Sequence, residues 1–514
     1  MKKLFFLLLA AILPMIVSAE SVKIEGIWYS INTSALCASV NKNLSGNIYS
    51  GVIKIPEIVV YDGKEYRVTG IEESAFNGCS SITSIELPVS VTYIGDNAFS
   101  GCKSLTSVHI SDITAWYNIF FTNYLSNPLW YAHHLYLEGQ EVTDLVIPDS
   151  LTIVNNYSFC GCSGLTSITI PNSITYIGNG AFYGCSGLSS VTIPNSVNKI
   201  GEWAFRGCSN LLSITLPDNI TSIGGYTFCD CRSLTSIVIP CSVINIGDYA
   251  FSFCRSLSSF TIPSNVKSIG GYAFCKCSSL TSVTISDSVK SIGWHAFSEC
   301  DLLTNITIGS SVASIGSGAF ESCPSISDVI CYAEEVPHTN TNAFQYSNLN
   351  TATLHVHDAS IAKYRTTKPW SSFYSIVALD IDEPMITKCA TPTIAYVEGR
   401  LVFDCETEGV EFVSEIKNAD IKKYNDKEVS LTPAYVITVF ATKVGFEDSE
   451  VATATIRWRD GRPLFEGFSS VVVNQQEASD TNGDTTVDIA DIATIVDTMA
   501  AAARKDIGSE DDNQ

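Results

Sequence analysis

A phenylalanine returns every 23 residues along this chain. Phe159, Phe182, Phe205, Phe228, Phe251, Phe274, Phe297 and Phe320 follow at constant spacing, and Phe76 and Phe99 keep it upstream, each anchoring a copy of one short sentence. A fixed period of this size predicts a solenoid, because a coil so short cannot bury its own apolar face and must stack on its neighbours. Stacked coils offer long surfaces rather than a deep pocket, so the functional question turns toward binding.

Residues 165–185 serve as the type copy: L-T-S-I-T-I-P-N-S-I-T-Y-I-G-N-G-A-F-Y-G-C. Ile168 and Ile170 alternate with Ser167 and Thr169, the period of a half-buried strand, and Pro171 closes it because proline cannot donate to a ladder. Ile174 and Ile177 mark a second extended segment. Gly178 permits a turn, and Ala181, Phe182 and Cys185 fit one tight helical turn that drives the ring inward. Ten cysteines, from Cys79 and Cys102 to Cys300 and Cys323, stand three residues after the phenylalanines. Stacked coils set them roughly 5 Å apart with parallel side-chain vectors, which disfavours disulfides; they read as buried small hydrophobes with weak S–H donors. Cys160, Cys229 and Cys275 add C-x-C pairs that lack the further ligands of a zinc site.

The A-F-x-G-C turn, the L-T-S-I-T-I-P strand and the N-S-V-x-x-I-G segment, as in residues 190–201, resemble the BspA-like class of leucine-rich repeats found on secreted and surface proteins of Bacteroidota, spirochaetes and trichomonads. The resemblance spans about residues 52–380. It implies an α/β, mostly β solenoid of 23-residue coils with a continuous parallel sheet, horseshoe or L-shaped, and partners such as host extracellular-matrix proteins or other microbes.

Around the repeats the chain divides readily. Residues 1–19 carry Lys2 and Lys3, an apolar run from 4 to 17, then Ser18 and Ala19, the pattern of a secretory signal peptide. No later stretch reaches membrane-spanning length, so a secreted or outer cell-surface location is expected, without a membrane span. Residues 20–64 are expected to cap the solenoid of residues 65–380. Residues 112–144 interrupt it with an aromatic-rich insertion, and 324–380 form a closing coil. A net charge of −23 with only 16% charged residues argues against nucleic acid or anionic lipid as partner.

Beyond a linker, short β-rich runs in residues 385–459 suggest a small immunoglobulin-like β-sandwich. Residues 460–514 are expected to form a linker with a calcium motif at 480–500. There Asp480, Asn482, Asp484, Asp488 and Asp491, with the Thr486 carbonyl, provide oxygens at the spacing of a calcium loop that enters a short helix. The motif resembles half of a dockerin. Thr485 occupies the usual glycine position and no second copy follows, so calcium is the expected cofactor and a cohesin-like partner is not expected.

No metalloprotease, serine-hydrolase, phosphate-loop or dinucleotide motif is present, and the chain does not read as an enzyme; catalysis would require a site assembled across coils. Two surfaces remain. Outward strand positions are nearly all Ser or Thr, and two residues before successive phenylalanines stand Trp203, Tyr226, Tyr249, Tyr272 and His295. This second column is either a self-stabilising stack or a ligand platform. Expected ligands are proteins, for an adhesin, or polysaccharide, for a component of a surface glycan system.

The calcium loop generates the first prediction. Millimolar calcium should stabilise the segment around residues 480–500 by linkage, and the Asp480→Ala, Asp484→Ala double variant should abolish the effect. Calorimetric titration that showed neither heat nor a shift in melting would remove calcium from the account.

Overall fold

The computed structural model describes residues 20–43, 48–258 and 260–379, and, as backbone, the strands between residues 393 and 472. The signal peptide and calcium motif lie outside the described residues. Two compact units meet the eye, Met1–Leu379 and Asp380–Gln514.

Two parallel ladders run along the first unit. One is built from the S-I-T-type segments, beginning with Ser50–Lys54, Ser81–Glu86 and Ser107–Ile110 and ending with Asn305–Ile308, Asp328–Cys331, Thr353–Val356 and Ser375–Ala378. The other is built from two-residue strands such as Tyr176–Ile177 and Lys199–Ile200, paired at a register of one repeat. At alternate positions their isoleucines and valines are buried, as Ile53, Ile82, Ile168, Ile177 and Ile306 are, while the residues between them face out, among them Val52, Val146 and Ile153. The antiparallel strands Glu20–Ile24, Ile27–Asn32 and Cys37–Asn41 open the unit, and the last of them pairs in parallel with Lys64–Ile71.

A third set of inter-coil bonds joins the phenylalanine turns. Phe182 N–H donates to Ala204 O (2.9 Å), Phe205 to Thr227 O (3.0 Å) and Phe228 to Ala250 O (2.9 Å). The α half of the α/β expectation fails here. Amides that an α-helix would commit to its own preceding turn reach instead to the next coil, and residues two before and two after each phenylalanine take positive φ, as in Tyr249 (57°) and Phe253 (64°). A right-handed helix cannot propagate through such residues. The α-helices of the described residues are Ile113–Tyr117, Leu129–Ala132 and Ile361–Thr366, all outside the regular coils. The architecture is a mostly β parallel solenoid of about 13 turns.

Inside, the phenylalanines form a stack. Ring centroids from Phe159 through Phe344 lie 5.1 to 5.9 Å apart and nearly parallel. Tyr49 meets Phe76 edge-on at one end, and Trp370 meets Phe344 edge-on at the other. The insertion is packed into this core. Trp116 is buried and donates its indole N–H to Ser158 O (3.0 Å), and Tyr117 meets Phe159 edge-on at 5.2 Å.

The cysteines lie beside the stack, buried and unbridged. From Phe76 to Phe274 the phenylalanine carbonyl accepts from the cysteine amide of its own coil, as Cys185 N–H does to Phe182 O (3.2 Å). It also accepts the thiol of the next coil, as Cys208 Sγ does to the same oxygen (3.3 Å). Eight of the column thiols make this bond, at 3.1 to 3.3 Å.

The second unit holds a three-stranded sheet (Thr393–Val397 between Arg400–Asp404 and Ser470–Val472), a four-stranded antiparallel sheet (Glu411–Ala419, Ala434–Thr442, Ala452–Arg459 and Arg462–Glu466) and a small hairpin. Two of these strands lie beyond residue 459.

Burial pushes the thiols of Cys102, Cys162 and Cys323 up to about 12. Because the folded state holds these protons more tightly than the unfolded chain, the stability they confer is complete below the ordinary thiol value of 9.0 and is lost as pH climbs from there toward about 12. Melting temperature should fall over that window, and less steeply in a variant whose column cysteines are replaced by alanine. At neutral pH a thiol reagent should label exposed Cys241 and half-buried Cys37 and leave the column untouched until the protein unfolds; fast labelling of the column would contradict its burial.

Candidate functional site

The residue two before each phenylalanine sits on the outer edge of the turn with its amide held by the next coil: Tyr226 N–H by Asp248 O (2.9 Å), Tyr249 by Gly271 O (2.8 Å), Tyr272 by Trp294 O (2.8 Å) and His295 by Ser317 O (2.8 Å). These bonds bring the rings into one file. Tyr226 and Tyr249 stack at 4.5 Å and 6°, Tyr249 and Tyr272 at 4.6 Å and 14°, and Tyr272 and His295 at 4.8 Å and 10°. Trp203 departs from the row. Its indole meets Tyr226 edge-on at 6.0 Å and 80°, and its N–H is buried without a hydrogen-bond partner.

Every member of the column has positive φ, from 51° at His295 to 60° at Trp203. Left-handed backbone costs a residue with a Cβ roughly 1–2 kcal/mol, and the repeat meets that cost elsewhere with Gly180 and Gly318. Those two glycines also make room for their neighbours: a Cβ on Gly180 would lie 2.7 Å from the Tyr157 ring, and one on Gly318 2.4 Å from the His295 ring. An aromatic pair contributes about 0.5–1.5 kcal/mol beyond its burial, so the stack and the strain nearly offset one another.

The file continues past Tyr226 through a cation. The Arg206 guanidinium lies 5.1 Å from the Tyr226 ring and 5.2 Å from the Tyr183 ring, and Tyr183 meets Trp130 of the insertion at 5.0 Å. At the far end His295 Nδ1 pairs with Glu321 at 2.9 Å. Burial raises the phenol of Tyr249 above its ordinary value, helped by the neighbouring phenols of Tyr226 and Tyr272. A single strip of rings thus runs from the insertion to the coil of Phe297.

The Ser/Thr face is less regular. Its ladder breaks between Leu135–Leu137 and Asp144–Val146, between Ser167–Thr169 and Ser190–Thr192, and between Ser213–Thr215 and Ser282–Ile285, where one bridge, Thr261 to Thr284, interrupts the last gap, so the continuous sheet expected from sequence is divided. Several of its threonines turn back onto the preceding coil: Thr166 Oγ1 donates to Thr143 O (3.1 Å) and Thr304 Oγ1 to Thr281 O (3.0 Å).

Among known families, the one described as BspA type leucine rich repeat region (6 copies) matches residues 30–127, 133–258 and 244–365, well over half of the chain. The chain belongs to this BspA-type leucine-rich repeat family. Similar solved structures include a leucine rich cell surface protein from Faecalibacterium prausnitzii A2-165, at 25% identity over 70% of this chain and 95% of that one, with a TM-score of 0.43. A leucine-rich repeat protein from Bacteroides ovatus ATCC 8483 matches at 24% identity over 70% and 100%, TM-score 0.38. The pneumococcal vaccine antigen PcpA matches at 15% identity over 70% and 99%, TM-score 0.42. No match is found among curated proteins.

Within this BspA-type chain the other singled-out residues have separate fates. Asp480, Asn482, Asp484, Thr486, Asp488 and Asp491 lie outside the described residues. The histidines His133 and His134 of the insertion and His355 and His357 of the closing coil are engaged within the protein, His133 Nδ1 with Gly161 O (3.0 Å), His134 with Glu141 (2.6 Å), His355 with Asp328 (2.9 Å) and His357 with Tyr332 O (3.0 Å). Among the described residues no cluster of three or more His, Cys, Asp or Glu could hold a metal, and no helix is long and apolar enough to cross a membrane. Sequence reasoning missed Tyr183 and Arg206, one residue after their phenylalanines, and Trp294, which neighbours His295. Their signal was positional: each stands beside the aromatic column in the repeat alignment.

The column is tested by a pair of substitutions at one residue. Tyr249→Ala keeps the unfavourable φ and loses two stacked contacts, whereas Tyr249→Gly loses the contacts but relieves the strain. Chemical denaturation should find the alanine variant less stable than the glycine variant by about 1 kcal/mol; equal stability would remove the left-handed assignment.

Proposed function

We propose that this chain is an exported protein, secreted or held at the outer cell surface, that uses its repeat solenoid for binding or adhesion and engages its ligand along the aromatic edge. Family membership favours a binding role over catalysis. The observation that carries the choice of edge is the filling of successive left-handed positions with Trp203, Tyr226, Tyr249, Tyr272 and His295, where the same repeat uses Gly180 and Gly318. Backbone outliers that a simpler residue would relieve are a mark of function. The interrupted Ser/Thr ladder is the weaker candidate. Host extracellular-matrix proteins or the surfaces of other cells are the partners the adhesion reading names, and glycan is the alternative ligand.

Export by the signal peptide at residues 1–19, the immunoglobulin-like spacer at 385–459 and calcium at the loop of Asp480 to Asp491 belong to the same proposal.

The edge is tested by comparing two double variants for binding to immobilised matrix proteins and whole cells. Tyr226→Gly with Tyr249→Gly should keep the parent's circular dichroism and lose at least tenfold in affinity, while Thr215→Ala with Thr261→Ala should lose little. The opposite ranking would move the site to the strand face.

A further inference from the structure

Stacking changes what the aromatic edge can offer. Tyr249 and Tyr272 each have rings over both faces, Tyr226 and Tyr272 in the first case and Tyr249 and His295 in the second. These two rings therefore present their rims, not their faces, to a ligand. Trp294 is different. Its ring stands at 82° to Tyr272 at a centroid distance of 4.5 Å, at 86° to Tyr249 at 6.4 Å, and at 81° to His295 at 6.1 Å. Since both faces of Tyr272 are covered, so close a perpendicular contact requires the phenol rim to meet the face of the indole. One indole face lies flat along the file, the other is turned outward, and the residue is 47% exposed.

The seat for this indole is made in the preceding coil. A Cβ on Gly271 would lie 2.4 Å from Trp294 Nε1 and 2.6 Å from Cε2. Gly271 has no left-handed φ, so the backbone does not demand glycine there; the indole does. The charges nearest the rings are held by the protein itself. Arg206 lies against two rings, His295 pairs with Glu321, and the Asp248 carboxylate accepts from Gly271 N–H (2.7 Å).

An outward aromatic face beside a file of phenols suits a ring with one C–H face and a girdle of hydroxyls, and the Asp248 carboxylate at the seat of the indole disfavours an anionic chain. The step of the file, 4.5 to 4.8 Å, is close to the advance per sugar in an extended β-linked chain. An extended peptide advances about 3.3 Å per residue and falls out of register with it. A proline-rich helix needs grooves between rings, and rings this closely stacked leave none. We infer that the aromatic edge binds an extended, uncharged glycan, with Trp294 stacking face-on against one of its sugar rings. The inference rests on the edge being the binding surface and names its ligand class.

The test uses the full chain, a set of neutral β-linked hexasaccharides of glucose, mannose, xylose and N-acetylglucosamine, and a proline-rich peptide, read by tryptophan emission and calorimetry. At least one hexasaccharide should shift the emission. Trp294→Ala should weaken that binding at least tenfold, Trp294→Phe should retain part of it, and Gly271→Ala should weaken it by displacing an indole that is still present. All three variants should melt with the parent; should Gly271→Ala fold poorly, the two Trp294 variants decide. No binding of any hexasaccharide, or undiminished binding by Trp294→Ala, overturns the inference, as does an emission shift with the peptide alone. Loss of matrix-protein or cell binding in the Tyr226→Gly, Tyr249→Gly variant without glycan binding would leave the edge as the site and remove the sugar. Retained binding in that variant would remove the edge itself.

Discussion

The phenylalanine carbonyl is the point on which the coil-to-coil geometry depends. A carbonyl oxygen has two lone pairs, and in the core of this solenoid each must find a donor. Phe182 O takes the amide of Cys185 from its own coil and the thiol of Cys208 from the next. This explains why cysteine stands at that place in copy after copy. Alanine would bury as well but leave one acceptor site unmet, and serine would carry a more strongly hydrated group into an apolar column. A thiol is apolar enough to bury and still able to donate. It also explains why adjacent cysteines stay unbridged: their sulfurs are aimed at oxygen.

A second consequence reaches the surface. With turn amides committed to the neighbouring coil, the chain on either side of each phenylalanine must pass through left-handed backbone. Those are glycine positions by default, yet they are also the outermost points of the turn. The early coils keep glycine two residues after the ring, at Gly184 and Gly207, while later ones carry Asp230, Phe253, Lys276 and Glu299. There Lys276 lies 5.0 Å from the Phe253 ring and 3.4 Å from Glu299. The same device thus produces a file of rings on one side of the turn and a mixed charged and aromatic file on the other. Neither touches the core, so the outer edge can change without disturbing the stack inside.

Period and residue type made the solenoid legible from sequence, because Phe, Cys, Ile and the strand alternation each occupy a fixed phase and all of them are buried where that phase places them. The helical turn was misread for a physical reason. Ala181, Phe182 and Cys185 have helical spacing, but the hydrogen bonds that decide between helix and ladder involve Ala204 and Phe159, far away in sequence. Tyr226, Tyr249, Tyr272 and His295 could be placed in one file by spacing alone. Which way each ring faces could not, since that depends on contacts across coils: Trp203 turns edge-on, and Trp294 lies over Gly271.

The file also has ends, and the ends set its reach. Gly180 lies under the Tyr157 ring and Gly318 under that of His295, so at both limits a glycine closes the row by removing the side chain that would extend it. Five coil steps separate Tyr183 from His295, about 24 Å at the usual strand spacing, and Trp130 adds the insertion to the near end. A repeat array could have carried aromatic residues through all its coils. Confining them to this stretch makes one continuous strip, and it joins the insertion to the aromatic edge through Tyr183 and Arg206. The insertion thereby does two things with one set of aromatics: Tyr117 meets Phe159 and Trp116 meets Phe121 inside the core, and Trp130 starts the external file at Tyr183.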